Sequence, residues 1–198
     1  RRIRALLQKR EMTTGPVDVN HVVSEVLQLV GYEAHRRSIA IRFSPGVDIP
    51  PVLGDRIHLQ QVVLNLLLNA FDAVKTAAPD KRQVTVLTEC TNEKTVCISV
   101  SDTGSGIRPE WMERLFEPFY TTKDDGLGLG LSITRTIVEA HRGAVWAESD
   151  GLAGATFHVE LPSVWCQGPV PALAEKSPIR RAAALFATHE TAAVSPGG

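Results

Sequence analysis

The chain has 198 residues, 43% of them hydrophobic, which is enough for one domain with a real core plus a tail. Lys and Arg number 21 against 22 Asp and Glu, a formal net charge of −1, so a purely electrostatic partner such as nucleic acid or an anionic membrane surface is excluded. Cys90, Cys97 and Cys166 lack C-x-x-C spacing, which excludes a disulfide framework or a zinc site and fits a reducing, cytoplasmic setting.

Residues 1–10 (RRIRALLQKR) place Ile3, Leu6 and Leu7 at helical spacing, as in the last turns of an amphipathic helix that begins upstream. The missing initiator Met likewise reads as a piece of a longer chain. Gly15-Pro16 breaks that helix. Val19, Val22, Val23, Val26, Leu27 and Val30 then predict a helix from Val17 to about Arg37, capped by Asp18 or Asn20, and Ser38–Phe43 reads as a short strand. After a turn at 44–51, the apolar stretch Ile57–Val74, preceded by Asp55 and followed by Pro79, is a helix of about five turns. No apolar run approaches the ~20 residues of a membrane span. Gln83–Glu89 and Thr95–Val100 alternate as paired strands, Leu131–Ala140 is helical, and Ala144–Glu148 and Thr156–Leu161 are strands. Helices and strands mix without βαβ regularity, which predicts a two-layer α/β (α+β) sandwich. From 163 to 198 the composition turns to Ala, Pro, Ser and Gly, the signature of a disordered tail with at most a helical turn or two at Ile179–Phe186.

Three segments carry chemistry. The helix at 57–74 is apolar almost all round, yet His58, Gln61, Asn65, Asn69 and Asp72 follow one another at spacings of 3, 4, 4 and 3. At ~100° per residue they share an arc of roughly 80°. On a buried helix each unsatisfied amide or carboxylate would cost about 1–3 kcal/mol, so something polar has to lie against the stripe. A solvated helix edge is one reading. The other is that Asn65 and Asn69, one turn apart, offer amide oxygens to a hard cation such as Mg²⁺, which shares oxygen ligands with phosphate.

In VCISVSDTGSGI, residues 96–107, Val96, Ile98 and Val100 share a strand face, and period two puts Asp102 next on the same inward face. A carboxylate there needs a donor, and Gly104 and Gly106 let a ligand approach the backbone; a plain Asp-Thr-Gly turn is the other reading. In DDGLGLGLSI, residues 124–133, Gly126, Gly128 and Gly130 run into a helix whose first N–H groups form an anion site. Neither the G-x-x-x-x-G-K-[ST] spacing nor a preceding strand is present, so the two common phosphate loops are excluded. Between these segments LFEPFYTTK, residues 115–123, is either a hydrophobic loop anchor or a hinged cover bearing Lys123.

The ordered set HLQQVVLNLLLNAFDAV, SDTGSGI, LFEPFYTTK, GLGLGLSI and GLAGATF resembles the N, G1, F, G2 and G3 boxes of the catalytic and ATP-binding domain of bacterial sensor histidine kinases. That domain's superfamily includes gyrase, MutL and the heat-shock chaperone ATPases, and the style here is most similar to the nitrogen-regulation and oxygen-sensor kinases. The resemblance covers roughly residues 16–162. It implies a Bergerat-type fold, a mixed sheet covered on one face by helices, with ATP held between the N-box helix and a lid at about 107–127.

By the same resemblance, Asn69 is the principal Mg²⁺ ligand and Asn65 supports metal or phosphates, the two forming the catalytic set. Asp102 accepts from the adenine amine, with Thr156 at the same ring edge through water. Gly104 and Gly106 shape the adenine pocket, and Gly126, Gly128 and Gly130 the triphosphate loop. Many relatives carry a lysine shortly after the second Asn; here Asp72 occupies that stretch, and Lys123 is the substitute phosphate contact. Arg142 stands where relatives often have Gly. In the ATPase branches the position of Asn65 is a water-activating Glu, so Asn65 favours a kinase over an ATPase; a serine/threonine-kinase relative is the other enzyme reading, and the intact motifs argue against a degenerate regulatory module.

The phosphoacceptor motif of the family starts His-Glu with Pro five residues after the His, and none of His21, His35, His58, His141, His158 or His189 has that context. The sequence thus reads as residues 1–14 ending an upstream dimerisation helix, a catalytic domain over 15–162, and a tail over 163–198. The implied partners are the acceptor helix of its own homodimeric parent and a downstream response regulator, with no nucleic acid and no membrane contact.

Overall fold

The computed structural model describes residues 13–92, 94–122, 126–151 and 153–164. The expected upstream helix at 1–10, Lys123 and the tail beyond 164 therefore lie outside the described residues. Among these residues seven strands and four α-helices follow in the order β1 (Gly15–Val17), α1 (Val19–Arg36), β2 (Ala40–Ser44), β3 (Val52–Gly54), α2 (Arg56–Ala73), β4 (Gln83–Asn92), β5 (Thr95–Asp102), α3 (Pro109–Met112), α4 (Gly130–Ala140), β6 (Ala144–Glu148) and β7 (Ala155–Pro162).

The main sheet has the order β2-β4-β5-β7-β6, with β2 parallel to β4 and every other pair antiparallel. It is the mixed sheet that the resemblance implied. The parallel pair requires a long crossover, and β3 and α2 lie within it. Period two divides the strands. Val84, Val86, Val96, Ile98, Val100, Phe157, Val159 and Leu161 belong to one core with the valines of α1 and with Leu59, Val62, Val63, Leu66, Leu67, Ala70 and Phe71 of α2. By length and composition α2 could cross a membrane, but Leu59, Val62, Val63, Leu66, Leu67, Ala70 and Phe71 are buried in this core.

The residues in between, Cys97, Ser99 and Ser101 on β5 and Thr156 and His158 on β7, take the sheet's other face. There Ser99 Oγ lies 2.9 Å from His158 Nδ1 and the His158 ring stacks on Trp146 at 4.9 Å. Burial pushes the Cys97 thiol up to about 12, so it is not a nucleophile at neutral pH.

Helix starts follow their caps. Asp18 accepts from the His21 amide, and Asp55 Oδ1 accepts from the Ile57 and His58 amides. The first helix therefore begins at Val19 rather than Val17. It ends at Arg36, and because Ser38 has a φ of 55°, the following strand starts at Ala40 rather than Ser38. Gly15-Pro16, expected only as a break, pairs with Val52–Gly54 in a separate two-stranded ribbon.

Candidate functional site

The polar stripe of α2 meets polar surroundings at three levels. At the start of the helix, His58 lies edge-on to His141, with ring centroids 6.3 Å apart. In the middle, Asn65 Nδ2 donates to the Gly130 carbonyl at 3.2 Å and to Thr134 Oγ1 at 3.4 Å, so this level faces the first turn of α4. At the end, Asp72 is exposed and pairs with Arg37 at 3.2 Å. Asn69 is half-buried one turn after Asn65.

The Asp102 turn packs against the end of the same helix. A Cβ at Gly104 would come within 2.5 Å of the Ala73 carbonyl oxygen and 2.8 Å of Asp102 Oδ1, so only glycine fits there. Asp102 is 8% exposed, and its Oδ1 accepts from the Gly104 amide at 2.8 Å. Burial pushes its carboxyl above the ordinary carboxylate range, and the amides of Gly104 and Ala155 pull partly back. Gly106 has a φ of 73° and would meet Ser149 Oγ if it carried a Cβ. Ser149 ties the turn down: its Oγ accepts from the Ile107 amide at 3.0 Å and donates to the Gly154 carbonyl at 2.7 Å. Gly154 in turn donates to the Gly104 carbonyl at 2.8 Å.

One expected residue is not in this group. Thr156 is the register partner of Ser101, its Oγ1 2.9 Å from Ser101 Oγ, whereas Asp102 faces Ala155 across the strand pair. Directly opposed residues share a face and their neighbours take the other, so Thr156 and Asp102 lie on opposite sides of the sheet. The expectation that Thr156 reaches the ring edge beside Asp102 is corrected, and Ala155 holds that position.

Residues 107–122 form a loop with the short α3. Phe116 packs against the core and anchors it, whereas Phe119 is exposed. Phe119, at a φ of 66°, donates its amide to the Gly128 carbonyl at 2.9 Å. Gly128 has a φ of 67°, and a Cβ there would fall 2.5 Å from the Phe119 carbonyl carbon. Gly126 precedes this contact. Gly130 opens α4, and a Cβ there would meet nothing within 4 Å. The helix start at Leu129 has no side-chain cap and no acidic residue in its first turn. Open space beside uncapped N–H groups fits an anion such as a phosphate. Among the described residues no three His, Cys, Asp or Glu side chains converge. The amide pair Asn65 and Asn69 is an oxygen donor set suited to Mg²⁺ that also takes phosphate oxygens.

The profile of the histidine kinase-, DNA gyrase B- and HSP90-like ATPases matches residues 54–164. The chain belongs to this family. Within it, the relatives are sensor kinases. The chain is 39% identical to Sensor protein FixL of Bradyrhizobium diazoefficiens over 82% of its own length and 32% of that protein. It is 37% identical to Sensor histidine kinase ZraS of Salmonella typhi over 80% of its length and 33% of that protein. It thus spans about a third of these curated relatives.

Among solved structures, the catalytic domain of histidine kinase ThkA aligns with a TM-score of 0.65 and 30% identity, covering 77% of this chain and 99% of that one. Full-length ShkA in complex with AMPPNP aligns with a TM-score of 0.70 and 31% identity, over 82% of this chain and 34% of that one. The fold described here is accordingly the ATP-binding catalytic domain of sensor histidine kinases.

Sequence reasoning missed Thr134, Ser149 and Ala155. A Thr four residues into a helix that starts at Gly130 is an ordinary helix residue by pattern, and Ala155 needs the strand register. Only the Ser-Asp-Gly turn around 149–151 carried a local signal.

Proposed function

We propose that residues 15–162 bind Mg-ATP and transfer its γ-phosphoryl to a histidine on a dimerisation helix of the same parent protein. Residues 1–14 are then the end of that helical region and 163–198 a tail. The observation that carries this reading is Asn65. An amide cannot take a proton from water near neutral pH, so hydrolysis lacks the ~10²–10⁴-fold contribution of a positioned base. A neutral histidine is already a nucleophile and needs far less of such help.

The roles of the other residues follow from their surroundings. Asp102 accepts from the exocyclic amine of adenine. Gly104 and Gly106 keep the pocket wall free of side chains. Gly126, Gly128 and Gly130 leave the backbone N–H groups at the start of α4 open to the phosphates. Asn69 and Asn65 hold the metal by their amide oxygens. When bound, Mg²⁺ supplies neutralisation of charge on the β- and γ-phosphates. Lys123 remains a proposed phosphate contact.

The receiving partner after the acceptor histidine is a response regulator, a proposal supported by the ThkA relative, whose structure is a complex with the response regulator TrrA. The setting is the cytoplasm, in keeping with the free thiols of Cys90 and Cys97.

The test uses ATP labelled at the γ-phosphate. The chain alone should remain unlabelled and hydrolyse ATP slowly, yet label a separately expressed acceptor helix from its own parent. Asn69→Ala should abolish that transfer. Rapid hydrolysis by the chain alone, insensitive to Asn69→Ala, would replace this reading with an ATPase.

A further inference from the structure

The buried contact between α2 and α4 decides what Asn65 can offer a ligand. Thr134 is fully buried, and its hydroxyl donates to the Gly130 carbonyl at 3.0 Å. Asn65 faces that carbonyl at 3.2 Å and the Thr134 oxygen at 3.4 Å. A carbonyl only accepts, and the Thr134 hydroxyl has already committed its single hydrogen to it. Both groups facing Asn65 are therefore acceptors. A flipped amide would set its own oxygen against the Gly130 oxygen, so Nδ2 points inward, toward α4. Oδ1 is what the side chain has left for a ligand.

We propose that Thr134 is a positioning residue of the nucleotide site: it locks the Asn65 amide with Oδ1 toward the ligand. Asn65 then presents an oxygen to the ligand, an acceptor that suits a cation rather than a phosphate. The same ring of bonds ties the last glycine of the loop to α2, so the carbonyl of Gly130 stays fixed when the residues before it move. The proposal rests on the reading of Asn65 as part of the nucleotide site.

Calorimetry with a non-hydrolysable ATP analogue, once in excess Mg²⁺ and once in EDTA, tests it. Thr134→Val removes the hydroxyl at nearly constant volume. It should weaken binding about 3- to 10-fold in Mg²⁺, the loss of roughly one hydrogen bond, while changing affinity in EDTA by less than about twofold. Thr134→Ser should restore both values. In the metal-free protein, the Asn65 side-chain amide protons should exchange with solvent faster in Thr134→Val than in Thr134→Ser. Thr134→Ala provides the same comparison if the valine variant does not fold.

Equal losses with and without Mg²⁺, or no loss in either, would overturn the positioning role. Asn65→Ala separates the two levels. A metal-dependent loss there, with none in Thr134→Val, rejects the lock alone; no loss in Asn65→Ala rejects the reading of Asn65 beneath it.

Discussion

Arg142 is a departure from the family pattern that the structure explains, and replacing it by Gly should stabilise the domain. The chain leaves α4 through a Schellman turn: Arg142 donates its amide to the Glu139 carbonyl at 2.9 Å, and Gly143 donates to that of Val138 at 2.9 Å. This geometry puts the residue after the cap in the left-handed region, and Arg142 has a φ of 59°. A side chain there costs about 1–2 kcal/mol, against about 0.5–1 kcal/mol of extra backbone entropy that Gly loses on folding.

The net gain for Arg142→Gly is therefore about 0.5–1 kcal/mol, a rise in melting temperature of roughly 1–4 °C for a domain of this size. Arg142 is exposed, so losing its side chain alone changes stability by less than about 0.5 kcal/mol. Urea denaturation of the wild type, Arg142→Gly and Arg142→Ala decides the matter. Only the glycine variant should gain. An alanine variant that gains as much would show that removal of the guanidinium, and not relief of the backbone, is responsible.

Asp102→Asn should weaken ATP binding by about 1–3 kcal/mol and relax discrimination against GTP, because an amide offers a donor where the adenine amine needs an acceptor. Burial raises the Asp102 pKa, so its ionised form is a cost in the empty pocket at neutral pH; the same variant should leave the nucleotide-free domain at least as stable as wild type. Parallel calorimetry and thermal melts check both, and equal losses for ATP and GTP would contradict the adenine role. His141 must be neutral to accept the Asp55 amide at Nε2, at 2.9 Å, and burial lowers its pKa. The folded state then binds fewer protons than the unfolded chain, so this contribution is present above a pH of about 6.5 and lost as pH falls through that value toward the folded pKa. His141→Gln should flatten the stability profile below a pH of about 6.5, and an unchanged slope would remove His141 as its source.

The elements with enough residues to show a period were legible in the sequence. Asp55 and the apolar run after it mark α2, and Val96, Ile98 and Val100 show period two along β5. The ribbon of β1 and β3 was not, because three residues on each side cannot display alternation and Gly-Pro reads as a breaker. The same limit explains the site. Asp102 could be placed on the core face from β5 alone. Thr156 could not be placed relative to it, because facing depends on the β5–β7 register, which depends on where both strands are held. Thr134 bonds to Asn65 and Ser149 to Ile107, 69 and 42 residues away, gaps that no local pattern spans.

The Asp55 carboxylate closes a joint between distant parts of the chain. Its Oδ2 accepts from the Thr13 amide, 42 residues away, and its own amide reaches His141, 86 residues away, while Oδ1 caps the helix locally. Burial raises the Asp55 pKa, but the amides of His58, Thr13 and Ile57 outweigh it and keep the carboxylate ionised. Contacts across such loops carry a closure cost that local turns do not, so the cap can form early in folding and the bond to His141 only after α4 has docked. Loss of the His141 ring would then hasten unfolding and leave refolding nearly unchanged. The helix bearing Asn65 and Asn69 is, in folding terms, started locally and locked last.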